Sequence, residues 1–472
     1  MVEPLWTLSE IVNATRGACL GARATPVLGF SIDSRSLAPG DAFVDIRGPN
    51  RDGHAFVAAA LDQGAACAIV DKSFPPGDEQ KLVRVGDTLD ALNALGRAAR
   101  TRAKHTMVIA VTGSAGKTGT KEALRLALEP SGSVHASAKS FNNHWGVPLS
   151  LANMPREVRF GVFEIGMNHA GEIDVLTKLV RPHIAIVTTV APVHLGFFRS
   201  VEAIADAKAE IFHGLEPGGT AIINRDIPYY QRLKDHALGH GATIVGFGEA
   251  PDAEAHLRDI VLGPEGSNVS ADILGETIAY RLGAPGRHVV QNSLALLAAA
   301  KLAGADLPLA ARALAGLHAQ TGRGARTLIE AQAGRMAIID ESYNANPASM
   351  RAALATLGLT PRGEFRRRVA VLGDMLELGP DGPRLHRELA EFIDGAGVDV
   401  VFACGELMGS LFEALPTSRR GAYARTAEEL GPQLIGAVGP GDAIMVKGSL
   451  GSRMAPLVEA LKRRFGTEAA PA

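Results

Sequence analysis

The chain has 472 residues, which is too long for one hydrophobic core, so two or three domains are expected. Its 48 basic and 50 acidic residues give a formal net charge of −2. This balance provides no general attraction to nucleic acid or to an anionic membrane surface, so neither is expected as a partner.

The cysteines and the apolar segments indicate a soluble protein of a reducing compartment. The three cysteines are scattered and show no metal-binding spacing, which favours a reducing compartment without disulfides or a zinc site. The first residues carry acids and lack the basic start and long apolar run of a signal peptide. The most apolar stretch, residues 294–303, is interrupted by Lys301 and is too short to span a bilayer. We therefore expect a soluble, monomeric, cytoplasmic protein with no membrane span.

Hydrophobic periodicity predicts an α/β fold in three domains. Residues 1–85 alternate short β-like runs with turn clusters and predict a small α/β domain, with strands at 42–46, 66–70 and 82–85. Residues 86–321 begin with a helical pattern at 88–103 and then repeat strand, loop and helix, which predicts a mainly parallel central sheet. Its strands are expected at 107–111, 162–165, 184–188, 220–223 and 243–247, with a flanking β-rich segment at 253–281.

The last part of the chain, residues 322–472, repeats the same alternation and predicts a Rossmann-like closing domain. Its strands are expected at 336–339, 369–372, 400–403 and 443–446.

The strongest local signal is the segment TGSAGKT at 112–118, between an apolar strand pattern and a helical pattern. A strand that enters a glycine-rich turn and a helix N-terminus presents backbone N–H groups and a favourable dipole to phosphate oxygens. Lys117 is expected to reach the β and γ phosphates of ATP, and the Thr118 hydroxyl to ligate Mg²⁺. The loop residues expected to hold the nucleotide are Gly113, Ser114, Ala115, Gly116, Lys117, Thr118 and Gly119.

One departure from the common phosphate-loop pattern narrows the class of enzyme. Val111 stands where that pattern has its first glycine. This weakens the interpretation as a kinase or GTPase and points to the shorter loop used by amide ligases. The alternative for the segment alone is a glycine-rich turn that binds no ligand.

Two further side chains are candidates for magnesium chemistry: Glu164 and His194. Glu164 and His194 each follow a predicted strand, at the sheet edge where open α/β folds bind ligands. Taken alone, Glu164 could equally be a turn or cap acid, and His194 is more typical of a packed residue. Lys208, on a predicted helix, reads by spacing as a solvated lysine paired with a neighbouring acid.

The order of these motifs resembles the Mur ligase family over nearly the whole chain. The resemblance rests on FSIDSRSLAPGDAFV and RDGHAF, on TGSAGKT, SFNNHWGVPLS, FEIGMNHAGEI and AKAEIF, and on DESYNANPASM, VLGDMLELG and VKGSLGS. SYNAN and GDMLELG resemble the members that add D-alanyl-D-alanine to UDP-N-acetylmuramoyl-tripeptide. The resemblance therefore implies an ATP-dependent amide ligase that acts through an acyl phosphate on these two substrates.

The resemblance also implies roles for individual residues. Lys117 and Thr118 match the phosphate and first-magnesium contacts, with Glu164 on the same ion. His194 matches a ligand of a second magnesium ion, and Lys208 matches a lysine that carbon dioxide carbamylates. An ammonium repels Mg²⁺, whereas a carbamate supplies oxygen ligands, so this modification is chemically sensible.

Other matched residues divide between nucleotide and substrate. Asn292 is expected at the adenine, and the third domain is expected to contribute nucleotide contacts through Arg323, Asp340, Tyr343 and Asn346. The uridine diphosphate end of the substrate is expected at Ser34 and Arg35, with His54 nearby. Asn142, Asn143 and Trp145 are expected to line the passage from the uridine end to the phosphates. Arg453 is expected to bind the carboxylate of the incoming substrate.

Several other functions compete with this interpretation. A ligase that adds the third peptide residue would carry a different third-domain motif from SYNAN, and a folylpolyglutamate synthase would lack the uridine-binding DSRS segment. A kinase or GTPase would need the longer phosphate loop. A nucleotide-dependent scaffold that has lost catalysis is disfavoured because the candidate phosphate and magnesium residues are all present.

Overall fold

Short apolar runs in the first part of the chain form a four-stranded parallel sheet with the order β3-β4-β5-β6. This computed structural model describes residues 4–48, 52–193, 195–331 and 334–466. The first elements are β1 (Trp6–Thr7), α1 (Leu8–Thr15), β2 (Pro26–Val27), β3 (Phe30–Ser31), β4 (Ala42–Val44), α2 (Val57–Asp62), β5 (Cys67–Asp71), β6 (Leu82–Val85) and α3 (Thr88–Arg102). Leu92 and Leu95 of α3 are buried in the core of this sheet, whereas the predicted border at residue 86 assigns α3 to the central domain.

A nine-stranded sheet with the order β15-β14-β13-β12-β11-β10-β7-β9-β8 forms the centre of the molecule. The pairs β8–β9, β9–β7, β7–β10, β10–β11, β11–β12 and β12–β13 are parallel. The pairs β13–β14 and β14–β15 are antiparallel. The elements are β7 (Met107–Thr112), α4 (Lys117–Leu128), β8 (Val134–Ala136), α5 (Gly146–Ala152), β9 (Phe160–Glu164), α6 (Glu172–Val180), β10 (Ile184–Val187), α7 (Val201–Ala209), β11 (Thr220–Asn224), α8 (Tyr230–Gly239), β12 (Thr243–Gly248), β13 (Ala255–Gly263), β14 (Gly266–Ile273), β15 (Glu276–Leu282), α9 (Arg287–Leu302) and α10 (Leu307–Ala313).

Strand β7 shows why this sheet is covered on both faces. Ile109 and Val111 are buried in the core on one face, and Val108 and Ala110 are buried in the core on the other. Successive residues of a strand point to opposite faces, so a strand with no polar alternation needs helices on both sides. The parallel register pairs Val111 with Glu164, which brings the carboxyl ends of β7 and β9 to the same edge.

The third part of the chain forms a six-stranded sheet with the order β16-β17-β21-β18-β19-β20. Only the β16–β17 pair in it is antiparallel within the described residues. The elements are β16 (Ala325–Ala331), β17 (Gly334–Glu341), α11 (Pro347–Gly358), β18 (Arg367–Gly373), α12 (Gly382–Arg387), α13 (Leu389–Gly395), β19 (Val400–Cys404), α14 (Gly409–Ala414), β20 (Arg420–Ala424), α15 (Ala427–Ala437), β21 (Asp442–Lys447) and α16 (Ala455–Gly466).

The predicted fold class, α/β with a mainly parallel central sheet and a Rossmann-like last domain, is confirmed. Strands β1, β2, β3, β8, β16 and β20 were not predicted, and each lies at the edge of its sheet. An edge strand has one neighbour and less buried surface, so its sequence carries a weaker apolar pattern. In the part of the chain that the structure describes, no helix is both long and apolar enough to cross a membrane.

Asn153, which follows α5, joins the central domain to the first sheet. Its side chain accepts a hydrogen bond from the Phe30 amide at 2.8 Å and donates to the Phe30 carbonyl at 3.1 Å. The amide group therefore pairs with edge strand β3 as another strand would.

Replacing Asn153 with alanine should lower the free energy of unfolding of the first domain by about 1–3 kcal/mol, because two backbone groups lose their partners. A urea titration followed by the fluorescence of buried Trp6 measures the change. Asn13, which is exposed on α1, provides the control: Asn13→Ala should change the free energy of unfolding by less than about 0.5 kcal/mol. Equal effects of the two variants would contradict the role given to Asn153.

Candidate active site

Two glycines shape the turn between β7 and α4. Gly113 has φ +149° and Gly116 has φ +82°, which L side chains rarely adopt. A Cβ on Gly113 would overlap the Thr188 hydroxyl, and a Cβ on Gly116 would overlap the Asn292 amide. The loop is therefore packed between the end of β10 and helix α9, with Asn292 directly over its last glycine.

The side chain of Ser114 holds the loop in place. Its Oγ accepts a hydrogen bond from the Ala191 amide at 2.9 Å and donates to the Ala191 carbonyl at 3.1 Å, while the Ser114 amide donates to Thr189. Thr188 adds a donor to the Ala115 carbonyl at 2.6 Å. Because these side chains are used for internal bonds, the loop meets a ligand mainly through its backbone and through Lys117.

Lys117 begins helix α4 and folds back over the loop, where its Nζ donates to the Gly113 carbonyl at 2.8 Å. Burial lowers the pKa of the Lys117 ammonium; the nearby Glu164 carboxylate opposes this shift, and the Arg323 guanidinium adds to it. Two cations, one from the central domain and one preceding β16, therefore face the same space. A polyanion such as a triphosphate is the complementary ligand.

The Glu164 carboxylate lies at the end of β9 and is 1% exposed, and both of its oxygens accept hydrogen bonds. Thr118 Oγ1 donates to Oε2 at 2.8 Å, and Asn142 Nδ2 donates to Oε1 at 2.6 Å. A carboxylate beside a hydroxyl offers the hard oxygen ligands that Mg²⁺ prefers. The donor set at the loop therefore fits a magnesium ion.

Lys208 lies on α7 and is only 2% exposed. Burial lowers its pKa far below the ordinary lysine value, and the Lys117 ammonium lowers it further. In the described part of the chain, no carboxylate is among the groups that shift the pKa of Lys208. The pairing expected of a solvated lysine is thus absent there. The predicted metal ligand His194 lies outside the described residues.

A cavity of about 590 Å³ opens at the loop and is closed on the far side by residues after α10 and around β17. Such a volume is in the usual range for a small-molecule site. The predicted site residues that line it are Ser114, Ala115, Gly116, Lys117, Thr118, Gly119, Asn142, Glu164, Asn292, Arg323, Tyr343 and Asn346. Gly113 and Asp340 do not line the cavity.

Two side chains of the third domain contact the central domain at and beside the phosphate loop. Asn346 Nδ2 donates to the Ser114 carbonyl at 3.4 Å, and Arg323 Nη2 donates to Ser140 Oγ at 3.2 Å. The Arg323 guanidinium also lies 4.3 Å from the centre of the Tyr343 ring. These contacts bring the nucleotide candidates of the third domain to the loop.

Asp340 has a different place from the predicted one. Its carboxylate is 3% exposed and accepts hydrogen bonds from the Gly322 amide at 2.9 Å and from the Ser342 hydroxyl at 2.6 Å. With its oxygens used in this way, Asp340 shapes the segments that carry Arg323 and Tyr343, and it does not face the cavity.

The chain is similar in sequence to known proteins over most of its length. Family models match residues 26–102 (Mur ligase family, catalytic domain), 111–300 (Mur ligase middle domain) and 326–450 (Mur ligase, glutamate ligase domain). The UDP-N-acetylmuramoyl-tripeptide–D-alanyl-D-alanine ligase of Rickettsia prowazekii is 33% identical over 428 residues, 90% of this chain and 93% of that relative. The chain belongs to the Mur ligase family.

Solved structures of MurF ligases extend the similarity to the fold. The crystal structure of MurF from Acinetobacter baumannii aligns with a TM-score of 0.85 at 31% identity, covering 98% of this chain and 100% of that chain. MurF from Thermotoga maritima, solved in complex with ADP, aligns with a TM-score of 0.77 at 26% identity, covering 93% of this chain and 98% of that one.

Sequence reasoning missed one buried cation of this Mur ligase. Lys447, at the end of β21, is 2% exposed and lines the cavity. Its Nζ donates to Glu341 Oε2 and to the Asn344 carbonyl, both at 3.0 Å. The only sequence signal was its place after an apolar strand in VKGSLGS, because its partners lie about a hundred residues away.

At the predicted uridine end, the structure adds a partner for His54. The His54 Nε2 lies 2.7 Å from Oδ2 of Asp45, a carboxylate that is 1% exposed. Burial raises the pKa of Asp45 to about 6, although His54 opposes the shift. Of the other two residues predicted at this end, Ser34 is buried, and Arg35 is exposed and forms an ion pair with Asp33 at 2.7 Å.

The remaining predicted substrate residues occupy two places. Asn143 Oδ1 accepts hydrogen bonds from the amides of Trp145 and Gly146 and so caps the start of α5. Arg453 is exposed in the loop after β21, with φ +52°, and does not line the cavity. The structure therefore brings Asn142 to the loop but leaves Arg453 apart from it.

Replacing Lys208 with methionine should stabilise this Mur ligase. The pKa of Lys208 is lower in the folded chain than in the unfolded chain, so folding expels a proton, and stability rises with pH until about 10.4. At pH 8 in buffer free of carbon dioxide, the variant should unfold at a higher temperature than the wild type in calorimetry. The gain should shrink as the pH approaches 10.

Lys178→Met is the control, since Lys178 is an exposed α6 lysine paired with Asp174. It should leave the unfolding temperature nearly unchanged at all pH values. A Lys208→Met variant that is less stable than the wild type at pH 8 would show that the ammonium is not strained.

Proposed function

We propose that the chain joins D-alanyl-D-alanine to UDP-N-acetylmuramoyl-tripeptide at the expense of ATP, through an acyl phosphate. The observation that carries the proposal is the buried Thr118–Glu164 pair beside Lys117, at the wall of the cavity. The relatives named for this reaction, which match nearly the whole chain, support the choice of substrates. The ADP bound by the Thermotoga maritima relative supports ATP as the nucleotide.

The first step forms the acyl phosphate. An oxygen of the terminal carboxylate of the tripeptide attacks the γ-phosphorus of ATP, and the bond from that phosphorus to the β–γ bridging oxygen breaks, releasing ADP. Both reactants are anions, so the barrier is mainly electrostatic. Lys117 and Arg323 would bind phosphate oxygens, and the amides at the start of α4 would add donors in a favourable dipole.

In the second step the free amine of D-alanyl-D-alanine attacks the acyl carbon. The carbon–oxygen bond to phosphate breaks, inorganic phosphate leaves, and the amine loses a proton as the amide forms. The acyl phosphate is sensitive to water, so the contacts of Asn346 and Arg323 with the central domain would protect it from hydrolysis. They close the cavity over the reacting groups.

We also propose two magnesium ions at this site. Thr118 and Glu164 would hold the first, and His194 with a carbamate on Lys208 would hold the second. When bound, magnesium neutralises charge on the phosphate oxygens. The Lys208 amine would attack carbon dioxide through its nitrogen lone pair, forming a nitrogen–carbon bond and releasing one proton. Its lowered pKa supports this reaction, because only the neutral amine is nucleophilic.

The first domain, residues 1–85 in the predicted division, would bind the uridine diphosphate end through Ser34, Arg35 and His54. Adenine would lie at Asn292, which packs on the phosphate loop. The incoming dipeptide would bind on the third domain, with Arg453 as the candidate for its carboxylate. A monomer in the cytoplasm is the proposed working form.

The decisive measurement is ADP release with UDP-N-acetylmuramoyl-tripeptide and ATP in three arms. The full reaction with D-alanyl-D-alanine should release ADP and ligated product in equal amounts. Omitting the dipeptide or replacing it with D-alanine should reduce both strongly. Equal ADP release in all three arms would overturn the assignment of the dipeptide.

Within this assay, Lys117→Ala should lower ADP release by at least about 10³-fold, because one cation at the γ-phosphate is lost. Binding of the uridine nucleotide, measured by calorimetry, should stay within about twofold. Lys178→Ala is the control and should turn over normally. Wild-type turnover by Lys117→Ala would remove the phosphate role of the loop.

Lys208→Ala should be nearly inactive, and a short carboxylic acid such as formate or acetate should restore part of the activity by supplying the missing oxygen ligands. The rescue should saturate with acid concentration. Activity of Lys208→Ala without any added acid would rule out the carbamate.

A further inference from the structure

A second lysine of helix α4, Lys121, is 0% exposed. This is the lowest exposure of any lysine, arginine, aspartate or glutamate in the described part of the chain. Its Nζ donates to the Ser137 carbonyl at 2.5 Å and to the Lys139 carbonyl at 2.7 Å, and it lies 2.7 Å from Glu122 Oε1. An ammonium has three donors, so all three are used. Burying a charge for packing alone is costly, which indicates a more specific role.

The two carbonyls belong to the segment 137–142, between β8 and α5. Lys139 in this segment has φ +48°, an unusual backbone conformation for a residue with a side chain. The Lys121 ammonium binds the carbonyls on either side of residue 138 and so supports a turn that the local sequence does not favour. This turn leads directly to Ser140 and Asn142.

Those two residues are the contacts of the segment with the candidate site. Asn142 donates to Glu164 Oε1 at 2.6 Å, and Ser140 accepts from Arg323 at 3.2 Å. The Asn142 carbonyl also accepts from the Gly166 amide, two residues beyond Glu164. Lys121 is therefore linked to the carboxylate at the phosphate loop on one side and to a third-domain cation on the other.

We propose that Lys121 is a positioning residue of the ligation reaction: its ammonium fixes the turn at 137–142, which in turn orients Glu164 and receives Arg323. The proposal rests on the proposed function for its catalytic consequence. The order of the turn itself does not depend on which reaction the enzyme performs.

A control with a similar set of hydrogen bonds is Lys301 of α9, whose side chain is 29% exposed. Its Nζ donates to the carbonyls of Ile273 and Leu274 at 3.1 and 3.2 Å and to Glu276 at 3.0 Å. Leu274 has φ +50°, so this lysine also supports a turn with a left-handed residue. The Lys301 turn joins β14 to β15 at the antiparallel end of the nine-stranded sheet, and none of these residues lines the cavity.

The test compares Lys121→Met with Lys301→Met. The first readout needs no ligand: acrylamide quenching of Trp145, which adjoins the 137–142 turn, while Trp6 is buried and inaccessible. Quenching should increase clearly in Lys121→Met and remain at the wild-type value in Lys301→Met. Thermal unfolding of both variants measures their general loss of stability.

The second readout is ADP release as a function of magnesium concentration. In Lys121→Met, kcat/KM should fall by about 10- to 100-fold and the magnesium concentration for half-maximal activity should rise, as for loss of a residue that orients a metal ligand. Lys301→Met should stay within about twofold. Lys121→Arg, which keeps charge and donors, should be less impaired than Lys121→Met and serves in its place if methionine prevents folding.

Equal quenching and equal magnesium dependence in Lys121→Met and Lys301→Met would overturn the proposal and leave Lys121 with a role in stability alone. If the wild type forms no ligated product, the proposed function fails instead. In that case the Trp145 quenching still decides whether Lys121 orders the turn.

Discussion

The Glu164 carboxylate is the point at which the separate parts of the site depend on one another. It is fully enclosed, and its two oxygens receive hydrogen bonds from Thr118 of the phosphate loop and Asn142 of the neighbouring segment. The parallel register of β7 with β9 makes this possible, because it ends both strands at the same edge of the sheet. A buried carboxylate with well-aimed donors is rigid, and a rigid ligand set is what a hard cation requires.

Lys117, which lies near this carboxylate, has further basic side chains close to it. Burial lowers the pKa of both Lys117 and Lys208; the Arg323 guanidinium adds to the shift of Lys117, and the Lys117 ammonium adds to that of Lys208. This arrangement costs stability in the free enzyme. A triphosphate and a substrate carboxylate would offset the cost on binding, so the strain is a form of preorganisation for anionic reactants. Carbamylation of Lys208 would act in the same direction by converting a strained amine into an anion.

The interior of the fold was predictable because buried parallel strands are continuous apolar runs. The cores on both faces of β7, for example, follow directly from its sequence. The unpredicted strands β1, β2, β3, β8, β16 and β20 are edge strands, whose single neighbour leaves a weaker pattern. Helix α3 shows a related limit. Its apolar face was evident, but the sequence could not show that Leu92 and Leu95 pack on the first sheet.

By itself the sequence determined the phosphate loop, because its glycines, Lys117 and Thr118 are contiguous and their chemistry is local. It also indicated Glu164, since a carboxylate after an apolar strand has a defined place in a parallel sheet. Only the tertiary structure decided that Asp340 turns away from the cavity and that Lys447 faces it. It also showed that Lys121 holds a remote turn. Hydrogen bonds between distant residues leave no periodic trace in a chain, so their partners are known only when the chain is folded.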